Sequence, residues 1–357
     1  MDVLVNFLIK CLPCFPSLQN PTVSVNGVRF RIVRLLGQGG FSYVYLVYPT
    51  NNPSLMYAMK KISCPYGSHD ATFANAMREV NCYNRFAAAN SPFVVKSVDA
   101  AIISDPSGAK TFYILLPYFE KSLQDVINYN ILNNIAMDEK ELIQIFIGVL
   151  RGVRVLHKYK NSGSAESGES LGENDAETML LADADEDGSP MGGTELQELC
   201  PYAHRDLKPA NVMLSAEGLP VLVDFGSCQR ARVSVKSRQQ ALTLTDFALE
   251  HCTLPHRAPE LLDVATNAEI TEATDIWSLG CVLYACCFGF SPFEKMELDQ
   301  GANLNLAISR GQYEIPEDRK GYSVELMEVI KLCLNVDPLQ RPDIDQILDT
   351  CLQLAPN

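Results

Sequence analysis

Eight consecutive residues, His204-Arg205-Asp206-Leu207-Lys208-Pro209-Ala210-Asn211, are followed thirteen positions after Asn211 by Asp224-Phe225-Gly226. Their side chains suit the transfer of a phosphoryl group. Asp206 can accept a proton from an attacking hydroxyl, and Lys208 can neutralise a phosphoryl group in transit. Asn211 and Asp224 offer oxygens to a magnesium ion carried by a triphosphate. Such chemistry asks a protein mainly for positioning and charge stabilisation. A His-Arg-Asp triplet alone is weak evidence. The longer run with Asp-Phe-Gly at this spacing is not expected by chance.

Positioning falls to the elements on either side. Val212-Met213-Leu214, the turn-forming Ser215-Ala216-Glu217-Gly218 and Val221-Leu222-Val223 read as a short hairpin with Asn211 and Asp224 at its open end. Upstream, Val28 to Ile62 alternates and is rich in Val, Phe, Tyr and Ile, which predicts strands. Within it lies Leu36-Gly37-Gln38-Gly39-Gly40-Phe41-Ser42-Tyr43-Val44. Glycines let backbone amides approach a triphosphate with no Cβ in the way. A tight hairpin uses the same residues. A dinucleotide fold would need a helix next, whereas Tyr43 to Val47 continues as strand.

Lys60, on the strand beginning Tyr57-Ala58-Met59, can reach α- and β-phosphates if a carboxylate holds it. Glu79, on a helix predicted over Phe73 to Phe86, is the candidate; a solvated helix charge is the competing reading. Phe112 to Leu116 reads as a strand leading into Pro117-Tyr118-Phe119, a connector. Pro117 can offer adenine only its carbonyl, while the Phe119 amide can donate. Val44, Ala58 and Met213 would sandwich the base, with Leu116 beside it; ordinary core is the alternative for each.

The bulk numbers bound these readings. The chain has 357 residues, 47% of them apolar, enough for two packed lobes. The formal charge of −14 argues against a nucleic-acid binder. Eleven Asp and Glu with no Lys or Arg fall between Asn161 and Leu199, so the remainder is nearly neutral. That stretch, about residues 160–200, is rich in Ser, Gly and acids and is expected to be a disordered insert. Asp183-Ala184-Asp185-Glu186-Asp187-Gly188 lacks the later Glu of a calcium loop. The uncharged run from Ile276 to Phe293 approaches a membrane span in length, but it contains Gly and Pro, and the motifs on both sides of it need one folded body, which favours a buried central helix. The twelve cysteines form no disulfide framework and suit a reducing compartment.

The first residues, about 1–24, read as a tail. Val3 to Ile9 is apolar but short, and Lys10 follows rather than precedes it, unlike a signal peptide. Asp2 rules out N-myristoylation. Cys11 and Cys14 beside an apolar segment suit S-acylation, which would hold the protein on a membrane surface. A redox pair, half a zinc site and an inert tail are the other readings.

Beyond Gly226, Leu244, Phe247, Ala248 and His251 recur at helical spacing in what is expected to be a substrate-facing segment ending at His256-Arg257-Ala258-Pro259-Glu260. Thr243 and Thr245 are candidate phosphosites, since Arg205 could pair with a phosphate nearby. Ordinary helix-start residues are the alternative. Glu260 is expected to pair with Arg341. A helix is predicted over Glu139 to Lys158, with Leu142, Ile145, Phe146, Val149, Val153 and Leu156 on one stripe.

From about residue 28 to 355 this order of motifs resembles the eukaryotic protein kinase superfamily, with Lys208 matching its serine/threonine members. Gly39-Gly40-Phe41-Ser42, Asp224-Phe225-Gly226-Ser227, Arg238 to Leu244 and Cys252 to Leu261 look like the Numb-associated kinase group, in its myristoylated-and-palmitoylated branch and the fungal vacuolar relatives. In that group Ser42 is the usual residue type where other kinases have a third glycine. The resemblance implies an α+β, bilobal fold, with a β-rich N-lobe at about 28–116 and a mainly helical C-lobe at about 119–355. It implies ATP with magnesium, or manganese in its place, as cofactors and proteins as substrates. It also implies a place on the cytoplasmic face of the vacuole, Golgi or another endomembrane. Oligomeric state is left open. A pseudokinase scaffold is the rival reading, but it would lack part of the set Lys60, Glu79, Asp206, Asn211 and Asp224, and none is missing. A small-molecule kinase would lack Ala258-Pro259-Glu260 and Arg341.

Overall fold

The computed structural model describes residues 21–40, 42–161 and 198–355. Cys11 and Cys14, Phe41 of the glycine loop, and all but the ends of the acidic insert lie outside the described residues. The chain divides into two compact units. One runs through Val80 and takes in Lys96–Tyr118; the other comprises Asn81–Val95 and everything from Phe119 onward.

The first unit is built on an antiparallel sheet of β1 (Thr22–Val25), β2 (Val28–Gln38), β3 (Ser42–Pro49), β4 (Tyr57–Cys64), β5 (Asp99–Ser104) and β6 (Lys110–Pro117), in the order β1-β2-β3-β4-β6-β5. The sheet therefore begins at Thr22, inside the segment expected to be tail. The cause is Asn26-Gly27, whose φ values of 46° and 81° make the two-residue turn that matches strand twist. One sheet face carries a small core of Val25, Phe30, Val47, Met59 and Leu115. Two register shifts interrupt β2, between Ile32 and Arg34 and between Leu35 and Gly37. Pro117 is the last residue of β6, opposite Tyr57, rather than the start of the connector. Helix α1 (Ala71–Ala87) follows β4 in sequence.

The second unit is mainly helical. Its helices are α2 (Leu123–Asn133), α3 (Glu139–His157), α4 (Arg238–His251), α5 (Ala273–Phe288), α6 (Pro292–Gln300), α7 (Leu304–Arg310), α8 (Val324–Cys333) and α9 (Ile344–Leu354). Helix α3 starts where the Asp138 side chain caps the amides of Lys140 and Glu141, and all six residues of its expected stripe are buried. Helix α5 is buried from Thr274 to Phe288, as its unbroken apolarity requires. A Cβ on its Gly280 would sit 2.7 Å from the Cys333 side chain, so α5 and α8 pack closely only because that position is glycine. Among the described residues no single helix is long and apolar enough to cross a membrane; α5 and α6 together reach that length but bend by 57°.

Short ladders complete this unit. β7 (Lys121–Ser122), β11 (Val212–Leu214) and β12 (Pro220–Leu222) form a three-stranded sheet, so the expected hairpin is present with its second strand one residue earlier. β8 (Lys160–Asn161) pairs antiparallel with β9 (Glu198–Leu199), joining the two ends of the insert. The Cys200 amide adds a bond to the Tyr159 carbonyl at 2.8 Å. β10 (Tyr202–Ala203) pairs with β13 (Gln229–Arg230), and β14 (Val233–Ser234) with β15 (Glu269–Ile270).

Candidate active site

In the first unit, the strand register sorts the expected nucleotide residues by face. Val44 lies opposite Lys60, and Ala58 opposite Leu116. Directly opposed residues of antiparallel strands share a face, as do alternate residues of one strand. Val44, Ala58, Lys60 and Leu116 therefore share one face, and Met59 and Leu115 of the core lie on the other. Leu36, Gly37 and Gln38 end β2, and the Gly39 amide closes the following turn on the Ser42 carbonyl at 2.8 Å. Gly40 lies between them, with nothing within 4 Å of the place a Cβ would occupy. The Lys60 ammonium donates to both Glu79 carboxylate oxygens, at 2.8 and 2.9 Å, with both residues buried.

In the second unit, the loop from His204 to Asn211 is held from below by Asp275. Its carboxylate accepts the His204 amide at 2.7 Å and the Arg205 amide at 2.8 Å, and lies 2.9 Å from His157 Nε2. Burial would raise the Asp275 pKa. The bond to His157, the nearby imidazoles of His157 and His204 and the Arg205 amide outweigh it and hold the carboxyl below its ordinary value. Arg205 and Asp224 both have left-handed backbones, φ 64° and 65°, a conformation that costs a non-glycine residue about 1 kcal/mol or more. The amides donated to Asp275 fix the loop at Arg205.

Asp206 is buried to 8% exposure, yet its carboxylate is fully engaged. Oδ1 accepts the Thr253 amide at 2.8 Å. Oδ2 accepts Lys208 Nζ at 2.7 Å and Asn211 Nδ2 at 3.2 Å. Lys208 Nζ also donates to Thr253 Oγ1 at 2.7 Å, and Asn211 Nδ2 to the Asp206 carbonyl at 2.9 Å. With its amide nitrogen so committed, Asn211 keeps its side-chain oxygen as the acceptor for a cation. The Val223 amide donates to the Asn211 carbonyl at 3.0 Å, which brings the residue before Asp224 to Asn211. Met213 lies on β11 opposite Ser122 and Val221, and Phe119 opens this unit.

These donors suit a hard divalent ion. The described residues contain no cluster of three or more His, Cys, Asp or Glu that could hold a metal alone. One carboxylate and one amide oxygen leave most of the coordination to phosphates and water, as magnesium in nucleotide sites requires.

Phe225 is fully buried, with ring centroids 5.1 Å from Tyr83, 5.5 Å from Phe86 and 5.7 Å from His204. Glu260 and Arg341 form a two-bond pair, at 2.7 and 2.9 Å. Two sequence expectations change. Thr243 and Thr245 lie inside α4 rather than at its start, which Ser237 caps. The Thr245 hydroxyl donates to the Ala241 carbonyl and accepts the Val264 amide, at 3.0 and 3.1 Å. Arg205 turns inward: Nη2 donates to the Arg230 and Ala231 carbonyls, and burial lowers its pKa. Thr253 and Asp275 do more here than their sequence setting announces. The signal for Asp275 is a lone carboxylate opening a long uncharged run, which burial obliges to find donors.

A model of the protein kinase domain matches residues 30–161 and 200–352, leaving out the insert. Serine/threonine-protein kinase ENV7 of Saccharomyces cerevisiae is 39% identical over 365 residues, covering 98% of each chain. Serine/threonine-protein kinase ppk13 of Schizosaccharomyces pombe is 35% identical, over 92% of this chain and 91% of its own. Human serine/threonine-protein kinase 16 is 32% identical, over 94% of this chain and 93% of its own.

Proposed function

Because the chain belongs to the protein kinase family, and its relatives are serine/threonine kinases along nearly their whole length, we propose that it phosphorylates Ser and Thr hydroxyls of proteins through Asp206 while attached to an endomembrane by acyl groups on Cys11 and Cys14. The observation that carries the catalytic part is the Asp206 carboxylate, fixed by Thr253, Lys208 and Asn211.

Asp206 aligns the substrate hydroxyl and takes its proton as the oxygen–phosphorus bond forms and the bond to ADP breaks. Lys208 neutralises charge on the moving phosphoryl group. Lys60, oriented by Glu79, holds the α- and β-phosphates, and the backbone of Leu36 to Gly40 and of Ser42 covers them. Val44, Ala58, Leu116 and Met213 flank the base, and the Pro117 carbonyl and Phe119 amide read its edge. Asn211 and Asp224 would hold a magnesium ion, which when bound would neutralise charge on the phosphates.

The test is phosphate incorporation by the native chain and by Asp206→Asn, in the protein itself and in a generic substrate. A loss of at least about a hundredfold is expected; equal incorporation sinks the assignment. Membrane attachment, on the cytoplasmic face of the vacuole or Golgi, is supported by the apolar segment with its paired cysteines and by the family resemblance. Replacing both cysteines by Ser should move the protein from the membrane pellet to the soluble fraction.

A further inference from the structure

The two units carry opposite charge. The first holds nine Lys and Arg against five Asp and Glu, although the whole chain is at −14. Of its strand residues, Lys61 is the basic one on the face with Leu35 and Tyr43, and Arg29, Arg31, Arg34, Lys60 and Lys110 lie on the opposite face. On its sheet, Leu35 lies opposite Tyr45, Tyr43 opposite Lys61, and Lys61 opposite Tyr113. Ile103 belongs to the same face, since Ala101 lies opposite Tyr113. This is the face whose other end is closed by the core of Val25, Phe30, Val47, Met59 and Leu115. Here it is open: Leu35, Tyr43 and Ile103 are 46%, 38% and 40% exposed, and the Tyr43 and Tyr45 rings stack at 6.2 Å. Tyrosines and a lysine among aliphatic side chains are the composition that suits a membrane–water interface.

The path of the chain leads to the same place. β1 runs antiparallel to β2 with Thr22 opposite Arg31, and the Pro21 carbonyl accepts the Ile32 amide at 3.0 Å. Pro21, the first described residue, therefore lies at the end of β1 that points along β2 toward Leu35. Cys14 lies seven residues before Pro21, a reach of at most about 24 Å. A lipid on Cys14 would therefore keep the first unit against the bilayer.

We propose that the open end of this face, with Leu35, Tyr43, Lys61 and Ile103, seats on an anionic lipid bilayer. The inference rests on reading Cys11 and Cys14 as acyl sites. The acyl chains supply the anchor, and the sheet face sets how the catalytic chain is presented to substrates at the surface.

The test uses unacylated full-length protein and vesicles of phosphatidylcholine with or without phosphatidylserine. Leu35→Glu with Ile103→Glu should lower binding to the anionic vesicles at least about tenfold and leave phosphorylation of a soluble peptide unchanged. Unchanged binding overturns the proposal. A second measurement does not depend on the glutamates being tolerated. Tyr43→Trp should be quenched by brominated lipid, since Trp277, the native tryptophan, is fully buried; no quenching overturns the proposal. In cells, Cys11→Ser with Cys14→Ser tests the anchor alone. If that variant still pellets while the glutamates abolish vesicle binding, the anchor reading fails and the face stands. If the cysteine variant turns soluble while the glutamates change nothing, the anchor stands and the face fails. A concentration-dependent dimer without vesicles, abolished by the glutamates, would make a second copy the occupant and overturn the proposal.

Discussion

Glu79 receives the Lys60 ammonium on both carboxylate oxygens, at 2.8 and 2.9 Å, and so ties helix α1 to strand β4. Replacing the carboxylate by an amide removes the charge that holds the buried ammonium at both oxygens. Glu79→Gln should lower stability by about 3 kcal/mol. It should also lower kcat/KM for ATP at least about tenfold, much of it through KM, because Lys60 loses its aim. Initial rates at varied ATP check this; an unchanged kcat/KM would remove Glu79 from the nucleotide machinery.

The Glu260–Arg341 pair should behave as a structural lock. The Arg341 side chain is fully buried, also donates to the Asn335, Val336 and Ala273 carbonyls, and lies 5.1 Å from the Trp277 ring. Glu260→Gln should cost about 3 kcal/mol in urea unfolding. Arg341→Lys should cost nearly as much, since an ammonium cannot reproduce the planar fork. A tolerated lysine would mean that charge alone suffices.

His256 makes stability depend on pH. Burial holds its pKa down to about 4 from an ordinary 6.5, and neither ring nitrogen has a hydrogen-bond partner among the described residues. As pH falls from 6.5 toward 4 the unfolded chain takes up a proton that the folded chain refuses. Stability is therefore full above that window and is lost within it, by up to about 3 kcal/mol. His256→Phe should flatten this part of the profile. Parallel urea-midpoint curves for the two proteins across the window would refute it.

Phosphorylation within α4 should discriminate between its two threonines. Thr245 has its hydroxyl committed in both directions; Thr243, two residues earlier on the helix, is half-buried as Thr245 is. Thr245→Glu should destabilise by about 2 kcal/mol and Thr243→Glu by much less. If the kinase modifies this helix, mass spectrometry should find the phosphate on Thr243. Modification at Thr245 in folded protein would contradict this.

Much of this site was legible because its residues sit in short, chemically loaded runs. His204 to Asn211 and Asp224 to Gly226 announce themselves by type and spacing, and the Lys60–Glu79 pair follows from what a buried lysine needs. Asn26-Gly27 was an available hairpin signal that the tail-like composition before it obscured. The place of Thr243 and Thr245 was not legible, because α4 starts at a Ser237 cap among polar residues and its buried positions emerge only later. Nor could spacing tell that Arg205 faces inward: that direction is set by the left-handed backbone and by carbonyls contributed from Arg230 and Ala231.

The pairing of β8 with β9 has a consequence for how this chain tolerates change. With Lys160 opposite Leu199, the insert departs and returns at neighbouring points. Beneath that junction, Tyr159 and Tyr202 stack edge-on against Phe86, which itself abuts Phe225. The length of chain between the paired ends can then grow or shrink without moving the rings below, each doubling costing only about 0.6 kcal/mol of closure entropy. Length variation is thereby confined to one bracket, and the spacing from Tyr202 to Gly226, which holds the proposed catalytic residues, is insulated from it.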